Sequence, residues 1–305
     1  MSKKRAGYVY LNDVPTRIVT WGKWVDEAFA EDKELILCIP GNPGVTAFYE
    51  VFMQTVYDKV KIPVWIIGHS GHEKPNPEDF SIPDPTKHTY KFNLQSQINN
   101  KVLFIEKYIP KEVRIHMLGH SVGSYTILHL LEHASIKQRI IKNYFLFPTI
   151  EHLSDSVNGR IMTRLVKPIV PLIIFLTWIF TTLPGLLQRI LVYIFCKVAS
   201  VETFQVDAIV KFVDPYVIAN VLSLAYDQLR IIKERPSDKL EKHLDGIKVY
   251  YGKIDNWVPT LVPISIKNDI PQLDVEIGER GIWHSFVLYQ SKEMGEIVAD
   301  WLSTH

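Results

Sequence analysis

The pentapeptide Gly119-His120-Ser121-Val122-Gly123 sets one serine between glycines two positions away on either side. At a sharp strand-to-helix turn such a serine is a candidate nucleophile: the turn projects its hydroxyl, and the glycines let strand and helix approach without Cβ clashes. The apolar run 115–118 before it and the helix-like stretch after it supply that context. Chance gives roughly 0.04 such motifs at this glycine and serine content. The alternative is a tight turn carrying an incidental serine.

A nucleophilic serine needs a proton acceptor and a carboxylate to orient it, and in α/β-hydrolase order the acid precedes the histidine. Asp255 lies in Gly252-Lys253-Ile254-Asp255-Asn256-Trp257 just past a strand-like run, and His284 lies in Gly281-Ile282-Trp283-His284-Ser285 just past the last one. Both are expected at strand C-terminal ends, on the same rim as Ser121. The rivals are worse placed. Asp245 precedes its strand and Asp269 lies on the N-terminal side of the last. His116, His120, His129 and His133 fall before or within the serine's own helix region, His243 precedes the penultimate strand, and His305 is terminal. The alternative for His284 is a histidine in a surface loop.

Two backbone N–H groups aimed at one point would hold the oxyanion of an acyl-transfer step. Val122 supplies one. Pro40-Gly41-Asn42-Pro43-Gly44, after the apolar run 35–39, supplies the other from Asn42, since Pro43 has no N–H to offer. An ordinary Gly/Pro turn is the alternative there. Gly68-His69-Ser70-Gly71-His72 repeats Gly-His-Ser after a strand-like run, but its glycine spacing is wrong and Glu73-Lys74-Pro75-Asn76-Pro77 continues as a loop. Ser70 is therefore expected in a polar turn near the mouth of the site. The sequence has no H-E-x-x-H, paired C-x-x-C or Gly-rich phosphate loop, so neither a metal nor a nucleotide cofactor is expected.

The elements that must hold these residues read as short apolar runs alternating with longer amphipathic ones. Strands are expected at 8–11, 16–21, 35–39, 64–67, 115–118, 144–147, 249–251 and 273–277, and helices at 47–57, 94–108, 122–133, 216–233 and 294–302. Several strands are too continuously apolar for a sheet with one wet face. The expected fold is therefore a single α/β domain, 1–305, with a mostly parallel central sheet and helices on both faces, and with its G-x-S-x-G turn it resembles the α/β-hydrolases.

Between the strands near 147 and 249 lies far more chain than a usual αβ connection, so 151–240 is expected as an inserted helical cap. No acidic residue falls between Asp155 and Glu202, whereas Arg160, Arg164, Lys167, Arg189 and Lys197 are basic. Residues 168–188 carry no charge, and as one helix they would reach about 30 Å, the thickness of a bilayer core. Pro171 suits a helix start and Pro184-Gly185 a break, leaving 172–183 as roughly 18 Å of helix before a second apolar piece, 190–196. The expectation is a hairpin or interfacial helix pair at about 165–199, flanked by cations that suit anionic headgroups. A buried pair of cap helices and a full span are the alternatives.

Composition sets the outer bounds. The 305 residues are 47% hydrophobic and 22% charged, which is globular, and 34 Lys+Arg against 33 Asp+Glu exclude a nucleic-acid binder running on bulk positive charge. Cys38 and Cys196 sit in apolar runs and are too few for a disulfide framework, pointing to a reducing, cytosol-facing location. Met1-Ser2-Lys3-Lys4-Arg5 is basic, but no uninterrupted apolar run follows, so no cleaved targeting sequence is expected.

Pro40-Gly41-Asn42-Pro43-Gly44, Gly119-His120-Ser121-Val122-Gly123, the apolar mid-chain insertion, Asp255 and His284 together resemble the lipid droplet-associated hydrolase family over nearly the whole chain. The resemblance implies a serine lipid hydrolase acting on sterol esters or other neutral lipid esters, with Ser121, Asp255 and His284 as its triad. It also implies targeting, through the insertion, to the cytosolic face of the endoplasmic reticulum and to lipid-droplet monolayers. A hairpin suits a monolayer, which has no second aqueous side. Two other functions fit the same residues: a lipid-surface organising protein with a silent hydrolase site, and an acyltransferase using the same serine. Chain length, head alcohol and protein partners are not written in these motifs.

Overall fold

The computed structural model describes residues 4–29, 33–76 and 78–304. Met1, Ser2 and Lys3 of the basic start, Pro77 and the terminal His305 lie outside the described residues. Among those described, eight strands form one sheet: β1 (Arg5–Leu11), β2 (Val14–Trp21), β3 (Glu34–Ile39), β4 (Val64–Ile67), β5 (Arg114–His120), β6 (Ile140–Leu146), β7 (Ile247–Gly252) and β8 (Asp274–Gly278). Their spatial order is β1-β2-β4-β3-β5-β6-β7-β8. β2 pairs antiparallel with β1 and β4, and the other pairs are parallel. Asn12 and Asp13 both take positive φ, 49° and 60°. That is what a two-residue hairpin turn requires, so Val14 and Pro15, outside the expected strand 16–21, belong to β2.

The continuous apolar strands have a packing cause. Leu35, Leu37 and Ile39 of β3 bury into one cluster, with Ile105 of α2 (Leu94–Tyr108) and Ile127 of α3 (Val122–Leu130). Ile36 and Cys38 bury into another, with Phe52 of α1 (Glu50–Val60) and Met294 of the C-terminal helix Ser291–Ser303. Successive side chains thus enter opposite cores, as period-two geometry demands of a sheet covered on both faces.

After β3 the chain moves out to β4 and returns across β3 to β5, so the strand order reverses between β3 and β5. Open α/β sheets bind ligands at the C-terminal ends flanking such a reversal. Asn42 follows β3, and Ser121 follows β5.

The connection from β6 to β7 is helical, and it corrects one expectation. A single helical run spans Val157–Thr182, starting well before Pro171. It passes through a π turn, Met162–Val166, and a 3-10 turn, Lys167–Ile169, into α4 (Val170–Thr182). Lys167 N–H bonds Met162 O and Val170 N–H bonds Lys167 O, so the hydrogen-bond register changes where Pro168 and Pro171 bring no N–H. At 26 residues the run reaches about 39 Å and is, by length and composition, able to cross a membrane. The break falls at Pro184, where the sequence puts it, and α5 (Gly185–Val198) follows.

Only 6% of the run's apolar window is buried. Leu172, Phe175, Leu176 and Trp178 of α4, with Leu186, Ile194 and Phe195 of α5, stand exposed. One side of each arm is nonetheless tied to the protein. α5 packs on α6 (Val206–Phe212), where Arg189 lies 2.7 Å from Asp207, and α4 packs on α7 (Pro215–Ile231).

Candidate active site

Ser121 sits between the last residue of β5 and the first of α3 with φ 53° and ψ −122°. This backbone region is costly for a residue with a Cβ and persists only where its surroundings over-determine it. Here they do. Ser121 N–H donates to Leu146 O at 2.9 Å, and Ser124 Oγ donates to Gly119 O at 2.9 Å. A Cβ on Gly119 would meet Ser124 N at 2.7 Å, and one on Gly123 would collide with Ile39 O. Gly119 therefore lets β5 and α3 close around the turn, and Gly123 lets α3 pass the end of β3.

The structure brings Ser121, His284 and Asp255 together from three strand ends. Ser121 Oγ lies 3.0 Å from His284 Nε2, and His284 Nδ1 lies 2.8 Å from Asp255 Oδ2. A carboxylate only accepts, so Nδ1 carries the ring proton and Nε2 is left free to accept from the serine. Asp255 is itself held, because its Oδ1 accepts from Trp257 N–H at 2.7 Å and Val258 N–H at 3.2 Å. The rival Asp269 is committed elsewhere, at 2.6 Å from Arg235.

Asn42 shares a small cavity with Ser121 and His284. On its loop, Gly41 N–H donates to Tyr49 Oη at 2.8 Å and Gly44 N–H to His72 Nδ1 at 2.9 Å. Asn42 N–H has no acceptor among the described residues. The Asn42 side chain donates to Val221 O of α7 at 3.1 Å. Val122 is the first residue of α3, where the helix leaves its N–H unpaired and the helix dipole favours negative charge.

The sequence reading assigns no role to three neighbours, His120, Tyr49 and Thr149. His120 is buried, and burial, followed by the charge of His284, holds its pKa well below the usual imidazole value. Its Nε2 lies 2.9 Å from His284 O and its Nδ1 lies 2.6 Å from Tyr49 Oη. The carbonyl can only accept, so Nε2 donates, Nδ1 accepts from Tyr49, and the Tyr49 oxygen accepts from Gly41. One chain of hydrogen bonds thus joins the Asn42 loop, the Ser121 turn and the His284 loop. The signal available in sequence is a histidine at the second position of G-x-S-x-G. Thr149, whose Oγ1 is 3.3 Å from Ser121 Oγ, carries no motif at all.

Ser70 is placed differently from the expectation. It is fully buried rather than at the mouth, with Oγ 2.6 Å from Thr16 Oγ1 and accepting from Asn100 Nδ2 at 2.8 Å. His72, two residues on, accepts from Gly44, and Glu73 accepts from Thr46 N–H at 2.7 Å. This loop braces the Asn42 segment from below, because Gly44 and Thr46 both lean on it.

Comparison with known proteins bears on the family and the fold. The family model described as lipid-droplet associated hydrolase matches residues 32–287. A lipid droplet-associated hydrolase of Drosophila melanogaster is 38% identical over 98% of this chain and 98% of its own length. One of Homo sapiens is 30% identical over 96% and 93%. Among solved structures, a putative lipase from Acinetobacter baumannii aligns with TM-score 0.65 at 13% identity, over 99% of this chain and 91% of that one. A serine hydrolase from Cycloclasticus zankles aligns with TM-score 0.61 at 13% identity, over 99% and 98%. The fold is that of the α/β-hydrolases, and the chain belongs to the lipid-droplet associated hydrolase family.

Proposed function

We propose that this protein is a serine hydrolase of lipid carboxylic esters, sterol esters or other neutral lipid esters, working at the cytosolic face of lipid droplets and the endoplasmic reticulum. The observation that carries the reading is the relay of 2.8 Å from Asp255 to His284 and 3.0 Å from His284 to Ser121. His284 takes the Ser121 proton as the oxygen attacks the ester carbonyl, and Asp255 keeps the imidazole oriented and stabilises its charged form. The Asn42 and Val122 amides receive the oxyanion, and His284 returns the proton to the leaving alcohol. Water then releases the acyl group from Ser121 by the same steps in reverse order.

The lipid surface is argued from the insertion. The exposed apolar arms α4 and α5, with Arg160, Arg164 and Lys167 at their base, suit insertion into one leaflet beside anionic headgroups. A spanning helix would carry its far end about 30 Å from the body. Arg189, shortly after the Pro184 break, is instead paired with Asp207 at 2.7 Å, which supports arms lying in the surface. The relatives' name, lipid droplet-associated hydrolase, agrees with that location.

One observation favours a second reading, a lipid-surface organising protein with a silent site. The space before the Ser121 hydroxyl is about 30 Å³, walled by Ala225, Gln228 and Leu229 of α7, which is room for about one water molecule. Under the hydrolase reading α7 moves when the arms enter lipid. Hydrolysis of a sterol oleate emulsion by wild type and by Ser121→Ala separates the two: fatty acid released only by wild type supports the enzyme, and equal background from both supports the organiser.

A further inference from the structure

Beneath the arms runs an apolar groove of about 510 Å³, whose walls include Pro43, Phe48, Phe180, Val192, Phe212 and Leu288. We propose that this groove is the acyl-chain site, holding the hydrocarbon chain of the ester whose carbonyl reaches Ser121. The proposal rests on the lipid-ester reading above and assigns that substrate's chain a place.

Three observations converge on it. The loops that wall the groove are the loops that build the site: Pro43 adjoins Asn42, and Leu288 lies one helical turn past His284. The groove thus abuts the segments that carry Asn42 and His284, and the proposal places the ester carbonyl at that junction. The roof belongs to the insertion, with Phe180 from α4 and Leu191, Val192 and Phe195 from α5. Neighbouring residues of those arms, Phe175, Leu176 and Ile194, face outward, so a chain leaving a lipid layer stays against hydrocarbon throughout. Finally, Tyr289 carries the one polar side-chain atom among the lining residues, and no charged residue lines the groove. Two cavities of similar size are unsuitable, one of about 540 Å³ beside Arg17, Glu73 and Lys74 and one of about 630 Å³ beside Lys167, Asp227 and Arg230. Their ionic walls would lose hydration against an alkyl chain. The groove's volume is that of an ordinary small-molecule site.

A hydrocarbon site gives a graded signature, because each methylene buried adds about fourfold to kcat/KM until the groove is full. The test measures kcat/KM for p-nitrophenyl esters from acetate to palmitate with the wild-type protein and with Val213→Trp, which fills the groove. The wild-type profile should climb with chain length, and the palmitate-to-acetate ratio should fall at least tenfold in the variant. An unchanged ratio in a variant that still unfolds cooperatively would overturn the proposal.

A second measurement needs neither hydrolysis nor the variant's fold. Full-length Ser121→Ala is photolysed with a fatty acid bearing a mid-chain diazirine in phosphatidylcholine vesicles, and the crosslinked peptides are mapped. Adducts on Phe180, Val192, Phe212 or Leu288 support the site. Adducts confined to the outward Leu172, Phe175 and Leu176 overturn it. Groove adducts from a protein that hydrolyses no ester would retire the hydrolase reading while keeping the chain site.

Discussion

Gly68-His69-Ser70 and Gly119-His120-Ser121 are the same tripeptide at the ends of two strands that flank β3, yet they do opposite things. Ser121 runs directly into a helix at φ 53°, and its hydroxyl meets an imidazole at 3.0 Å. Ser70 runs into Gly71 and a polar loop, and its hydroxyl is consumed by Thr16 and Asn100. The histidines differ as well. His120 links Tyr49 to the His284 carbonyl, while His69 meets His72 edge-to-face beside the buried Lys101. Helix or loop after the serine therefore decides whether its hydroxyl is presented, and the second copy braces the loop that the first one faces.

The largest effects should come from the first loop's partners. His284→Ala is expected to lower kcat on a soluble ester by roughly 10⁶, and Asp255→Asn by roughly 10⁴ because the wrong tautomer is favoured. Steady-state kinetics on the purified variants checks both, and a loss under tenfold for either would detach that residue from the serine. Tyr49→Phe removes the hydroxyl between Gly41 and His120. It should cost about 10- to 100-fold in kcat with KM nearly unchanged, since the Asn42 loop and the His284 loop lose their shared tether.

The second loop should answer in stability instead. Ser70→Ala leaves buried partners unsatisfied and should cost about 1–3 kcal/mol in urea unfolding while leaving kcat within about twofold. If kcat collapses as well, the division of labour between the loops is wrong.

The last effect is one of pH. Burial pushes Lys101 down to about 7, where it donates to Gly68 O at 2.6 Å. Between about 7 and the unfolded lysine value near 10.4, the unfolded chain holds more protons than the folded one. The stability linked to this group is thus fully present above about 10.4 and is lost as pH falls through about 7. Urea midpoints across that window should rise with pH more steeply in wild type than in Lys101→Met, and parallel curves would show that Lys101 is not the titrating group.

Legibility in the sequence tracks the range of the interactions. The bounds of α2 and β4, the Pro184 break and the approach of Asp255 and His284 to Ser121 are all legible, because strand ends and turn residues act locally and chain order constrains the rest. The run through Pro168 and Pro171 is not, since the proline rule describes an α-helix and the chain escapes it with π and 3-10 turns. Ser70 is misjudged for a similar reason. Its burial depends on Thr16, Gln97 and Asn100, contributed by β2 and α2. The tether through Tyr49 needs Gly41, Tyr49, His120 and His284, which, except for the first two, lie far apart in the chain, and no single spacing encodes it.

The central claim is that Ser121 is the nucleophile. It is tested most directly by labelling wild type, Ser121→Ala and Ser70→Ala with a fluorophosphonate and mapping the adduct by peptide mass spectrometry. An adduct on Ser121 in wild type and Ser70→Ala, with none in Ser121→Ala, is the predicted result; an adduct on Ser70, or labelling that survives Ser121→Ala, would contradict it.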